Sequence, residues 1–310
     1  MPEAPETPKI PETPKTPKTP EIPETTAPDE RTVVSTGGAR LHTEVHGPAG
    51  APTVVLVHGW TCNVTFWRPL IRLLAPDHRV VAYDQRGHGR TPATPGSCSA
   101  DSLADDLCAV LEATVEPGTR AVVAGHSMGA MTVVAAAGRP ALRDRAAAAL
   151  LCSTGIDRLA GESTVIPLRP GRLRLRGQHL FLTTRLPYGP VNALAERLVH
   201  YITMGRAATA AQRSEITRMV HACPRGARAE WGRVLAGLDL SARIDALTLP
   251  VVLVQGTADR LTPLVHAHRL AARLPSPAGF HRLDGIGHMT PYEATEVIAE
   301  RLRVLTKEHL

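Results

Sequence analysis

Apolar residues along most of this chain follow two alternating periods, and each change of period marks an element. Runs rich in Val, Leu and Ala at 54–57, 80–83, 121–124, 146–152 and 251–255 are too short for helices and read as buried strands, and Phe280–Leu283 reads as a further strand. Residues 32–35 and 40–46, separated by Gly37-Gly38, read as a hairpin. Between the strands, apolar positions recur every three or four residues over 66–74, 99–115, 127–137, 263–274 and 291–304, which predicts helices. In the second of these, Leu103, Leu107, Val110 and Leu111 form the stripe, and Asp101, Asp105 and Asp106 sit early, where the helix dipole favours acids. Strands alternating with helices predict an α/β fold: a mostly parallel sheet with helices on both faces.

Two segments break the rhythm. Residues 155–243 would make a very long loop for a compact domain, so they are expected to fold on their own account. Val191, Leu194, Leu198 and Ile202 mark one helix there, Ile216, Met219 and Val220 a second, and Trp231, Val234 and Leu235 a third. This insertion is read as a helical lid over the sheet. In residues 1–30, prolines fall at every third position from Pro2 to Pro23 among Glu, Thr and Lys, a pattern suited to solvated polyproline II. The expected organisation is a disordered tail (1–30), a first core part (31–154), the lid (155–243) and a second core part (244–310).

Composition narrows the field. With 43% hydrophobic and 21% charged residues in 310, the chain is an ordinary globular protein. It has no apolar run long enough for a membrane span and no basic-then-apolar start typical of a secretory signal, so the cytoplasm is the expected location. Cys62, Cys98, Cys108, Cys152 and Cys223 show neither paired nor metal-ligand spacing and read as reduced thiols. The tail's three lysines face seven acids, so the net charge of +6 places +10 on the remainder. Aromatics make up only 3% and no recognition motif is present, which argues against a nucleic-acid partner. Neither a metal-ligand cluster nor a nucleotide-binding glycine loop is seen, so no cofactor is expected.

The chemistry concentrates in four places. Gly125-His126-Ser127-Met128-Gly129 follows a strand and opens a helix, the setting in which a strained turn lifts a serine hydroxyl above a sheet. Asp259 lies just past the strand 251–255, and His288 lies in the glycine-flanked loop after 280–283. Leu56-Val57-His58-Gly59-Trp60 ends another strand. In order and context these motifs resemble the α/β-hydrolase superfamily, and the resemblance runs from about Arg31 to the C-terminus. It implies a Ser127–His288–Asp259 triad, with the backbone N–H groups of Trp60 and Met128 as oxyanion donors. Relatives that dehalogenate or open epoxides carry Asp at the elbow, so Ser127 points away from both. His58, His88 and His126 are read as fixing loop geometry, and Cys62 as a bystander.

Within the insertion, Leu173, Leu175, Leu180, Phe181, Leu182, Leu186 and Tyr188 are candidates for an apolar substrate pocket; Phe181, Leu182 and Tyr188 are the foremost. The arginines among them read as solvated, with a carboxylate-bearing substrate or an acidic carrier protein as the other reading. The expectation is a serine hydrolase acting on a small ester or lactone. A thioesterase, a carbon–carbon bond hydrolase or a haloperoxidase-like enzyme would use the same triad, and a hydrolase-fold ligand receptor is the non-enzymatic alternative.

Overall fold

The computed structural model describes residues 27–94 and 96–310; residues 1–26, most of the expected tail, lie outside the described residues. Eight strands form one sheet: β1 (Asp29–Val34), β2 (Arg40–His46), β3 (Thr53–Val57), β4 (Arg79–Tyr83), β5 (Ala121–His126), β6 (Ala146–Cys152), β7 (Val251–Gly256) and β8 (Pro277–Leu283). Their order is β1-β2-β4-β3-β5-β6-β7-β8. β2 runs antiparallel to both its neighbours, and the pairs from β4 to β8 are parallel. The helices around the sheet are α1 (Arg68–Leu74), α2 (Ala100–Thr114), α3 (Met128–Ala135), α4 (Pro140–Arg145), α10 (Leu264–Ala271), α11 (Thr290–Glu293) and α12 (Thr295–His309). Between β6 and β7 stand α5 (Leu159–Glu162), α6 (Arg172–Thr183), α7 (Ala193–Thr203), α8 (Ala210–Ala222) and α9 (Arg225–Ala236), which form a cap.

The central strands are covered on both sides, which is why they read as unbroken apolar runs. Alternate residues of one strand serve two cores. Val55, Val57, Val123, Leu151 and Leu253 face one side, with α2 and α3. Val54, Leu56, Val122, Leu150 and Val254 face the other, with α1 and α12. α2 begins on a capping box in which Ser99 and Ser102 satisfy each other's backbone N–H. All five cysteines are free thiols. No helix among the described residues is long and apolar enough to cross a membrane.

The structure differs from the sequence reading in several details, among them the short helices α4 and α5 and the division of the expected 291–304 helix into α11 and α12. β1 starts at Asp29, so Asp29 and Glu30, expected in the tail, belong to the sheet. As an edge strand it tolerates charges: Glu30 lies opposite Glu44 and accepts both Arg90 Nη groups at 2.7 and 2.8 Å. α6 is a helix that the apolar pattern did not announce, for a reason given below.

A buried ion pair braces the loop after β4. Arg86 and Asp106 are both shielded from solvent, with Arg86 Nε donating to Asp106 Oδ2 at 2.7 Å and Nη2 to Oδ1. The carbonyl of Arg86 accepts the Trp231 indole N–H at 2.8 Å, so the same residue ties α9 of the cap to the sheet. Removing one partner strands a charge in the core. Asp106→Ala is therefore expected to lower unfolding free energy by about 3–5 kcal/mol, measured by urea denaturation.

Candidate active site

The site is built around the turn from β5 into α3. Ser127 has φ 52° and ψ −116°, a conformation unfavourable for a residue with a side chain. Its neighbours hold it there. Ser127 N donates to the Cys152 carbonyl at 2.9 Å, and its own carbonyl accepts Ala130 N, Met131 N and Thr154 Oγ1, each at 3.0 Å. The flanking glycines are demanded by space. A Cβ at Gly125 would lie 2.6 Å from Ala130 Cα, and one at Gly129 would lie 2.0 Å from the Val57 carbonyl oxygen. The loop after β3 is equally close, since a Cβ at Gly59 would meet His126 Nδ1 at 2.8 Å and Ser127 Cβ at 3.2 Å. Among the described residues, the backbone N–H groups of Trp60 and Met128 make no hydrogen bond. The Trp60 indole donates to the Arg228 carbonyl at 3.0 Å and packs edge-on to Phe181.

Asp259 and His288 meet from the ends of β7 and β8. His288 Nδ1 and Asp259 Oδ2 are 2.8 Å apart. The buried carboxylate also accepts Thr262 Oγ1 (2.8 Å), Gln255 Nε2 (2.9 Å) and the backbone N–H groups of Leu261 and Thr262 (each 2.9 Å). Burial alone would raise its pKa, but the His288 charge and hydrogen bond, together with Thr262, hold it below the ordinary carboxylate value. A carboxylate only accepts, so Nδ1 carries a proton, which leaves Nε2 as the ring nitrogen available for proton exchange. His288 and Ser127 line the same cavity without a direct hydrogen bond between their side chains. Such contacts commonly tighten only when substrate arrives.

The cap itself positions the His288 loop. His288 N and Met289 N both donate to the Thr203 carbonyl at the end of α7, at 2.8 and 3.1 Å. The Glu293 carboxylate accepts Gly287 N at 3.1 Å and Gly205 N at 2.6 Å, joining loop and cap through one side chain. Gly287 has no room for a side chain, since its Cβ would lie 2.4 Å from the Met204 carbonyl carbon. Glu293, Thr203 and Gln255 escaped the sequence reading, because nothing local in the sequence distinguishes them from surface or core residues.

The cavity beside Ser127 holds about 200 Å³ and is lined mainly by apolar side chains, with no Asp, Glu, Lys or Arg among them. Phe181, Leu182 and Tyr188 line it as expected. Leu173, Leu175, Leu180 and Leu186 do not; they face solvent, because the turns of α6 that touch the body do so through Gln178 and Leu182. Thr61, Ser163, Gln178, Thr203, His221 and Thr262 are polar wall residues to which the sequence reading gave no role. Cys62 is no rival nucleophile, since burial pushes its thiol up to about 12. The one His and carboxylate cluster with metal-ligand spacing among the described residues, Glu30–His42–Glu44, lies on the β1–β2 edge away from this cavity, and the Arg90 guanidinium contacts both Glu30 and His42.

Three further histidines are wired as neutral spacers, as the sequence suggested. His58 Nδ1 donates to the Gly59 carbonyl at 2.7 Å, and its Nε2 accepts Gln85 N at 3.0 Å. His88 Nε2 accepts Thr61 N at 3.3 Å, and His126 Nε2 donates to the His288 carbonyl at 2.9 Å. Burial drives His58 well below the usual imidazole value, His88 to about 4 and His126 to about 3. Unfolding frees them to bind protons near 6.5, so their stability contribution is complete above that pH and lost as pH falls towards 4. His88→Gln, which keeps an acceptor for Thr61, is expected to reduce the pH slope of unfolding free energy between about pH 6 and 5 by roughly one proton, read from urea unfolding at stepped pH.

Comparison with known proteins agrees with this architecture. The alpha/beta hydrolase family pattern matches residues 54–301. RutD of Variovorax paradoxus, by name a carbamate hydrolase, is 32% identical over 257 residues, spanning 80% of this chain and 89% of its own. A non-heme chloroperoxidase of Streptomyces lividans is 26% identical, spanning 83% and 92%. An esterase from a Rhodococcus species superposes with a TM-score of 0.74 at 20% identity, covering 91% of this chain and 99% of its own. That last likeness speaks for the fold alone. With the family pattern covering most of the chain and a relative 32% identical across 80% of it, the protein belongs to the alpha/beta hydrolase family.

Proposed function

We propose that the protein is a serine hydrolase that cleaves small uncharged esters through an acyl-enzyme. The reading rests above all on the His288–Asp259 contact of 2.8 Å at the cavity onto which the strained Ser127 turn opens. In it, His288 Nε2 takes the Ser127 proton as the hydroxyl attacks a carbonyl, while Asp259 holds the tautomer and stabilises the imidazolium. The Trp60 and Met128 N–H groups receive the developing oxyanion, each worth about 3–4 kcal/mol. The alcohol leaves with the proton from His288. Water, deprotonated by the same imidazole, then releases the acid.

The substrate class follows from the wall. An engineered apolar cavity of about 150 Å³ takes benzene, so about 200 Å³ suits a short or medium acyl or alkyl group. The cap arginines do not line the cavity, so a carboxylate-bearing substrate loses its support. A carbamate, the group in the name of the Variovorax relative, offers the same carbonyl and stands as a second reading.

Ser127→Ala and Asp259→Asn are each expected to reduce kcat on p-nitrophenyl butyrate by about ten-thousand-fold with unchanged circular dichroism. Retention of most of the activity by either variant would refute the assignment. On a graded ester series beside matched carbamates and thioesters, kcat/KM should fall once the acyl chain outgrows the cavity.

A further inference from the structure

The outer face of the cap is unlike the rest of the surface. Nine of the thirteen exposed large hydrophobic side chains among the described residues fall between positions 168 and 201. Leu173 and Leu180 stand out from α6 at 71% and 65% exposure, Leu186 from the loop that follows at 71%, and Leu194 and Leu198 from α7 at 65% and 53%. Scattered single leucines need no explanation, but a concentration of this kind marks an interaction surface. The same stretch holds six arginines (Arg169, Arg172, Arg174, Arg176, Arg185 and Arg197) against a single acid, Glu196. Among the described residues only Arg185 of these makes a salt bridge, to Glu230 at 3.2 Å.

We propose that this face docks onto an anionic lipid surface, the leucines entering the interface and the arginines meeting the headgroups. Three observations choose this occupant. A second copy applied by the same face would set six arginines against six with one Glu on each side. The leucines project from two helices and a loop with exposed arginines interleaved among them, an arrangement suited to a deformable charged interface rather than to a shaped protein partner. Leu198, moreover, both stands exposed and lines the cavity, so the face is continuous with the mouth of the site. An amphiphilic substrate held in a bilayer would then reach Ser127 without crossing water.

Cosedimentation of the full chain with phosphatidylcholine vesicles, with and without phosphatidylglycerol, tests the proposal. The protein is expected to partition about tenfold more onto the anionic vesicles and to be released by salt. Leu173→Ser/Leu194→Ser, neither of which lines the cavity, should lose about tenfold of that binding while hydrolysing a soluble short ester at the parent rate. Arg172→Gln/Arg176→Gln should erase part of the preference for anionic lipid. The parent remaining in the supernatant with both vesicles, or the double leucine variant still pelleting, overturns the proposal. So does a dimer, seen by sedimentation velocity, that the leucine variant dissociates without any vesicle binding. The readout needs no turnover, and repeating it with Ser127→Ala keeps its outcome separate from that of the proposed reaction.

Discussion

The first turn of α3 packs against the end of β3 at a separation that only a hydrogen atom can fill, with the Gly129 Cα facing the Val57 carbonyl. That contact fixes where the helix begins relative to the sheet. It leaves the backbone one route from β5 into α3, through a residue of positive φ, and the residue at that point is Ser127. The strain is local; what resists it is spread through strand pairing on both sides of β5 and the burial of α3 from its first residue to its last. A rigid, heavily packed turn of this kind suits a site that must hold its hydroxyl and N–H groups ready before any ligand arrives.

Around that turn the cavity wall carries no Asp, Glu, Lys or Arg side chain. His58, His88 and His126 each have at least one ring nitrogen committed to the backbone of a loop, so the loops after β3 and β4 support each other through Gln85, Thr61 and Gly59. Burial makes protonation of these rings costly, and this guards the arrangement near neutral pH. Asp259 stands behind that wall. It stays ionised because five donors, from His288, Gln255, Thr262 and the backbone, surround it. In a medium of low dielectric such a charge acts strongly on its one aromatic partner.

Much of this was legible in the sequence because a steric demand leaves its mark on the residue that must meet it. Gly125 reports a close approach within its own turn, Gly129 and Gly59 report where that turn meets the loop after β3, and apolar runs report strands buried on both faces. The cap was harder. α6 carries Leu173 and Leu180 outward while Gln178 is buried, its Nε2 bonded to the Ser163 carbonyl at 3.0 Å, so its apolar period points the wrong way. A pattern reader that assumes leucine faces inward finds no helix there and assigns the exposed leucines to the pocket. Glu293, Thr203 and Gln255 act through partners distant along the chain or through backbone groups, and residue type alone carries no trace of such partnerships.

The carboxylate of Glu293, shared between Gly205 and Gly287, has a consequence for how anything gets in or out. With the Thr203 carbonyl it makes the C-terminal end of α7 and the His288 segment a single mechanical piece. Swinging that end of the cap aside would drag the imidazole from its post. Elsewhere the cap is held together by side chains instead: Arg228 of α9 grips the Thr184 and Leu186 carbonyls, and Gln178 of α6 bonds the Ser163 carbonyl. The end of α7 thus belongs to the frame of the site, not to a part that could move without it.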